Sequence, residues 1–241
     1  MHEQTKLETI PALHVHMEGL TAFFRYTAIV SGNQLTLPCP TYANLLGLIS
    51  ACANRTVCSR DTRIGFEFNH ASEGEDLERT ERLELKKGRL RPHVEGRGLI
   101  RRQMHFRPCL DLYLTNLDLA EAFTNPVATP CLGRSQDLCW ITKVEVVDLL
   151  PVKSGRIGAT MIGRSNNILD TSIPSDIVRC TEWFTNEQTG ATRKAGPIGF
   201  YQVIEPDVGR VNVAIDNLYH PSNLSQQDVI YLHEWMHGWT E

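Results

Sequence analysis

Apolar side chains in the first 150 residues follow two periods in turn, and the order of those periods restricts the chain to few folds. Leu13-His14-Val15-His16-Met17-Glu18 alternates apolar with polar, the pattern of a half-buried strand. Phe23 and Phe24 follow, and Pro38 and Pro40 then punctuate the chain. A helix is expected after Pro40 and Thr41, because Leu45, Leu46, Leu48, Ile49 and Cys52 make one apolar face at helical spacing. Ile64 to Phe68 reads as a second strand, with the acidic run Glu73 to Glu84 as an exposed edge or its continuation. Leu110, Leu112 and Leu114 alternate with Asp111 and Tyr113, giving a third strand. Leu117 to Phe123 reads as a short helix, with Asn116 as its N-cap and Pro126 as its stop. Ile141 to Leu150, rich in valine, is a fourth strand.

The order strand, helix, strand, strand, helix, strand is the split βαβ pattern of an α+β, ferredoxin-like (βαββαβ) domain. Many RNA binders of the RRM type share it. The aromatic RRM motif on the central strands is absent, so RRM-style base stacking is not expected. After Pro151 the texture changes. Short strand-like runs (Ile177 to Phe184, Phe200 to Ile204, Val211 to Ile215) alternate with Gly, Pro, Asn and Asp turns. The expected division is a domain over residues 1–150 and a smaller β-rich extension over 151–241, closed by a helix from Asp228 to Trp239.

Composition narrows the setting. No apolar run approaches a membrane span, and Met1-His2-Glu3-Gln4-Thr5-Lys6 leads to no secretion core, so a cytoplasmic protein with no membrane partner is expected. Seven cysteines, an odd number without a C-x-x-C pair, argue for buried reduced thiols over a disulfide framework or zinc ribbon. No cofactor is expected.

The net charge of −4 hides an uneven distribution. Between Lys86 and Arg107 stand eight basic residues, opposed only by Glu95, so this segment is +7 and the remainder −11. Gly88, Pro92, Gly96 and Gly98 interrupt it, which favours a long loop or extended hairpin over a helix. One cationic stretch on an acidic body is the electrostatic footprint of a protein that meets a phosphate backbone. Arginine suits that task because its planar fork donates two parallel hydrogen bonds.

Three separated blocks carry more specific information. The first is Phe24-Arg25-Tyr26 with Pro38-Cys39-Pro40-Thr41-Tyr42-Ala43-Asn44-Leu45-Leu46-Gly47-Leu48-Ile49-Ser50-Ala51. The second is Arg101-Arg102-Gln103 followed by Leu110-Asp111-Leu112-Tyr113-Leu114, and the third is Leu132-Gly133-Arg134-Ser135-Gln136-Asp137-Leu138. In this order they resemble the "Cas five" family of CRISPR-associated proteins, in its type I-B-like branch. The resemblance covers about the first 150 residues. It implies a RAMP-type ferredoxin-like domain with a basic thumb at about residues 86–102, between the second and third strands. It implies a non-catalytic subunit of the type I Cascade surveillance complex that holds the 5′ handle of the guide RNA (crRNA). Its partners would be the backbone subunits and the large subunit, with target DNA reached through the complex, in antiviral defence or RNA-guided DNA targeting. Residues expected to meet RNA are Arg25, Tyr26, Tyr42, Lys86, Lys87, Arg89, Arg91, Arg97, Arg101, Arg102, Gln103, His105, Arg134, Ser135 and Gln136. Tyr26, Tyr42, His93, His105 and Phe106 are the stacking candidates.

Other chemistry competes. His233-Glu234-Trp235-Met236-His237 is a literal H-E-x-x-H, the zinc-peptidase pattern when it lies on a helix; His220 would be its upstream third ligand. His14 and His16 share a strand face with no third ligand near in sequence. A metal-independent endoribonuclease that processes the guide precursor needs a base and an acid, roles open to Tyr42 and His105 with Arg101 or Arg102 at the phosphate. A P-loop, a dinucleotide fingerprint and a nucleophile elbow are all missing.

Overall fold

The computed structural model describes residues 8–26, 32–163, 172–185 and 194–235. The main elements, in chain order, are β1 (Ile10–Gly19), α1 (Tyr42–Ala53), β2 (Ile64–Asn69), β3 (Ser72–Lys86), β4 (Arg89–Phe106), β5 (Cys109–Leu114), α2 (Ala120–Thr124) and β6 (Cys139–Val152). Thr41 caps α1 reciprocally: its Oγ1 accepts from the Asn44 N–H at 3.2 Å, and its own N–H donates to Asn44 Oδ1 at 3.1 Å. Asn54, left-handed at φ 50°, ends the helix. Asn116 accepts from the Asp118 N–H at 2.9 Å and starts the single turn that leads into α2.

β1, β2, β5 and β6 pair in the order β6–β1–β5–β2, every neighbour antiparallel. Leu13, Val15 and Met17 of β1 bury against Leu45, Ile49 and Cys52 of α1 and Phe123 of α2. Each such side chain contributes roughly 1.5–3 kcal/mol when fully buried.

The sheet continues past residue 150. Strands Leu218–Pro221, Asp228–Tyr231, Gly155–Ile157 and Val211–Val213 extend it from β6 to a total of eight. It curls until the residues just after Asp228–Tyr231 return to β2, where Gly65 bridges Leu232 and the His233 N–H donates to Ile64 O at 2.8 Å. A Cβ at Gly65 would lie 3.0 Å from Tyr231 O, so glycine permits this approach. A three-stranded sheet (Met161–Gly163, Ile198–Val203, Asp176–Thr181) adds Met161, Val178, Tyr201 and Val203 to the core shared with β1 and α1. The chain is thus mixed α and β, strand-rich, with a curled sheet.

The closing helix expected from Asp228 to Trp239 is not formed over its described part. Asp228–Tyr231 is a strand and His233 to Trp235 is not helical; 236–241 lie outside the described residues. Val229, Ile230, Tyr231 and Leu232 are all buried, a run covered on both faces, which apolar periodicity cannot tell from a helix. No helix among the described residues is long and apolar enough to cross a membrane.

The acidic run and the basic run form one structure. β3 and β4 make an antiparallel ribbon from Ser72–Phe106 to Lys86–Arg89, about 46 Å long at 3.3 Å per residue. Lys87 (φ 51°) and Gly88 (φ 73°) form its two-residue turn, both left-handed as a type I′ hairpin demands. The register slips between Glu81 and Leu83, where His93 to Gly96 bulge out of β4. At the base, Thr21–Ala22 and Asn33–Gln34 pair with the free edge of β4 and fasten the ribbon to the body.

Candidate nucleic-acid interface

The first and third sequence blocks meet. The Phe23 N–H donates to Leu132 O at 3.1 Å, and Gly133 follows with φ +117°. Between this turn and α1 lies a groove of about 360 Å³, lined by Pro40, Ala43, Gly47, Ala51, Gly133 and Ser135 among others. Ala43, Gly47 and Ala51 recur every fourth residue, so the helix side of the groove carries no long side chain. A second hollow of about 420 Å³ shares Ala43 and Asn44 with the first and continues to Arg25, Tyr26, Arg179 and Phe184. Arg25 and Arg179 are exposed and, among the described residues, neither pairs with a carboxylate. The two hollows flank the N-terminus of α1, whose first N–H groups have no intrahelical acceptor and form the positive end of the helix dipole. Arg179 and Phe184 were missed in the sequence because they lie beyond every motif block.

Arg134 is turned inward. Its Nε donates to Asp137 Oδ2 and one terminal nitrogen to Asp137 Oδ1, each at 2.8 Å; the other reaches Glu78 Oε2 at 3.4 Å. Asp137 is fully buried and also accepts from Thr21 Oγ1 at 2.8 Å. Its hydrogen bonds to Arg134 hold the guanidinium firmly charged. Arg134 therefore builds the turn, while Ser135 and Gln136 remain exposed beside the groove.

The ribbon corrects the charge reading. Nine basic and seven acidic residues between Ser72 and Phe106 leave it at +2. Arg102 donates through Nε and a terminal nitrogen to Glu78 Oε2 at 3.0 and 2.8 Å, bonds Gln34, and lies over the Phe23 ring at 4.4 Å. It is 7% exposed and structural. Arg97 stands 3.7 Å from Glu81, and Arg101 stands 4.0 Å from Glu75. These exposed pairs are weak and leave both arginines partly available. The uncompensated charge sits at the tip. Residues 85–94 hold Lys86, Lys87, Arg89 and Arg91 and no carboxylate, and among the described residues Lys87, Arg89 and Arg91 have no ion pair. The tip is two-faced: Leu83 faces Pro92 and Leu85 faces Leu90 on one side, while Glu84 faces Arg91 and Lys86 faces Arg89 on the other. Leu85 and Leu90 are 73% and 70% exposed.

Tyr42 and His105 are not surface groups. Tyr42 is buried, its hydroxyl donates to Met161 O, and its ring stacks on His233 at 3.9 Å. Burial pushes its pKa well up. His105 is fully buried, and burial lowers its pKa. In this arrangement both rings are packed inside the chain and offer no exposed face to a strand. Gln103 is half-buried and donates to Glu73 Oε2 at 2.9 Å.

The remaining histidines are also placed. His233 is buried with Nε2 2.7 Å from Glu182 Oε1, and burial lowers its pKa. It lies off any helix, so the H-E-x-x-H geometry is absent from the described residues; His237 lies outside them. His14 and His16 meet Asp111 of β5, a third ligand that sequence distance concealed. His70, Glu73 and His105 form a second cluster with ligand atoms within 4.8 Å of one another.

No family model matches the chain, and no curated protein matches it. Solved structures do. A chain of a CRISPR RNA-guided surveillance complex aligns at 12% identity and TM-score 0.46, covering 87% of this chain and 91% of that one. A CRISPR protein from Archaeoglobus fulgidus aligns at 12% identity and TM-score 0.48, covering 92% and 98%. A chain of the Type III-B Cmr-beta complex bound to cognate target RNA aligns at 11% identity and TM-score 0.47, covering 84% and 86%. None of these three reaches a TM-score of 0.5, so no residue role is carried over from them.

Proposed function

We propose that this chain is a non-catalytic, guide-RNA-binding subunit of a type I-like Cascade complex and holds the 5′ handle. The reading rests on one observation. Blocks more than 80 residues apart in sequence, Phe24-Arg25-Tyr26 with Pro40 to Ala51 and Leu132 to Leu138, come together around two adjoining hollows that share Ala43 and Asn44 at the head of α1. The antiparallel order β6–β1–β5–β2 with α1 and α2 as its crossovers supports reading the body as a ferredoxin-like domain, and on this reading the ribbon is its thumb. In this account the handle's backbone runs through the groove past Arg25, Arg179 and the helix N-terminus. The ribbon tip meets it with cations on one face and leucines on the other, the first for phosphates and the second for bases.

Co-expression with a repeat array tests this. The purified chain should carry a discrete short RNA, and Arg25→Glu with Arg179→Glu should lose it. An RNA-free wild-type protein contradicts the reading. Cleavage of repeat RNA in EDTA would replace it with a nuclease.

A further inference from the structure

We propose that His70, Glu73 and His105 bind a zinc-class divalent cation at the root of the ribbon. Glu73 of β3 and His105 of β4 face each other across the ribbon, and His70 lies in the turn just before it. Glu73 Oε1 is 3.1 Å from His105 Nδ1 and 3.4 Å from His70 Nε2. Ligands about 2.0–2.1 Å from a tetrahedral zinc are separated by about 3.3 Å, so both histidine nitrogens already stand at ligand spacing from the carboxylate, and all three groups offer ligand atoms within 4.8 Å of one another.

The hydrogen bonding is incomplete without a cation. His105 Nε2 lies 2.8 Å from the Leu37 carbonyl oxygen, which only accepts, so Nε2 carries the proton. In the neutral ring Nδ1 then presents a lone pair, and it faces a carboxylate oxygen, another acceptor, at 3.1 Å. Glu73 is exposed at its outer side while His105 is buried, and two acceptors directed at each other repel; a cation between them converts the contact into two bonds. A ring whose far N–H is held by a backbone carbonyl is also the usual state of a metal-bound histidine. His70 adds the same signal. Its side chain is 2% exposed, it stacks on His105 at 4.6 Å, and neither ring nitrogen has a hydrogen bond. A cavity of about 380 Å³ adjoins the cluster, and Asp176, Glu205 and Asp207 line it with further negative charge. Two histidines and one carboxylate leave a fourth position for solvent, the open form of a zinc site.

The other cluster differs. Both ring nitrogens of His14 and Nδ1 of His16 lie 2.7–3.0 Å from carboxylate oxygens of Asp111 or Glu145, so each has a side-chain partner in place, as the nitrogens of His70 do not.

Zinc titration of the untagged, RNA-free full chain tests the assignment apart from any RNA role. Calorimetry should give one site per chain, Co²⁺ should give the visible bands of a tetrahedral complex, and zinc should raise the melting temperature. Glu73→Gln and His70→Ala should each weaken binding at least tenfold. Glu73→Gln should melt no lower than wild type without zinc, since its amide donates to His105 Nδ1. His16→Ala should leave binding unchanged. Wild-type protein without a stoichiometric site, or wild-type affinity retained in Glu73→Gln and His70→Ala, overturns the proposal.

Discussion

The carbonyl oxygen of Phe23 lies 1.9 Å from where a Cβ on Gly133 would stand. With φ at +117°, Gly133 is therefore fixed as glycine by both contact and conformation. The contact ties the loop after β1 to the loop before β6 and shapes one wall of the groove. Gly133→Ala should cost about 2–5 kcal/mol through overpacking and strain. At roughly 2–4 °C per kcal/mol the melting temperature should fall by about 4–20 °C. A melting temperature within about 1 °C of wild type would show that the turn yields more readily than its geometry implies.

Asp137 and Arg134 support the same turn. Removing one partner of a buried pair strands the other, at about 3–5 kcal/mol. Asp137→Ala should be the worse change, because it orphans Arg134, Thr21 Oγ1 and the Arg134 N–H together. Urea denaturation of both single variants checks the order. Greater loss from Arg134→Ala would contradict the assignment of Asp137 as the hub.

His233 gives stability a pH dependence. Its folded pKa lies below the usual value near 6.5 because burial opposes its charge. The unfolded chain takes up a proton near pH 6.5 that the folded chain refuses, so stability is full above that pH and is lost as pH falls below it. The urea midpoint should drop between pH 7.5 and 5.5. His233→Gln, which keeps a donor for Glu182 Oε1, should flatten that change; an equal drop in the variant would assign it elsewhere.

Local signals made the body of the fold readable. The alternation of Leu13, Val15 and Met17, the Thr41 cap and the Asn116 cap each act within a few residues, and each appears where expected. The closing segment failed because Val229 to Leu232 is apolar throughout and carries no period. The basic segment is the extended hairpin expected, but its free charge was overcounted. Charge counted along the chain cannot see across a hairpin, and the carboxylates that face Arg97, Arg101 and Arg102 lie about 16 to 26 residues upstream. The Lys87-Gly88 dipeptide was the available clue. Folding outward from it sets Glu84 beside Arg91. Tyr42 and His105 were misjudged because polar tips on core residues look like surface groups until burial is known.

The salt dependence of handle-RNA binding tests the central claim most directly. Lys87, Arg89 and Arg91 at the ribbon tip have no carboxylate partner among the described residues, and each phosphate contact on a single strand contributes about −0.7 to the log–log slope. Anisotropy titrations from low to high salt should show that Lys87→Glu, Arg89→Glu and Arg91→Glu together weaken binding and make the slope shallower by about 2. An unchanged affinity and slope in that triple variant would contradict the account.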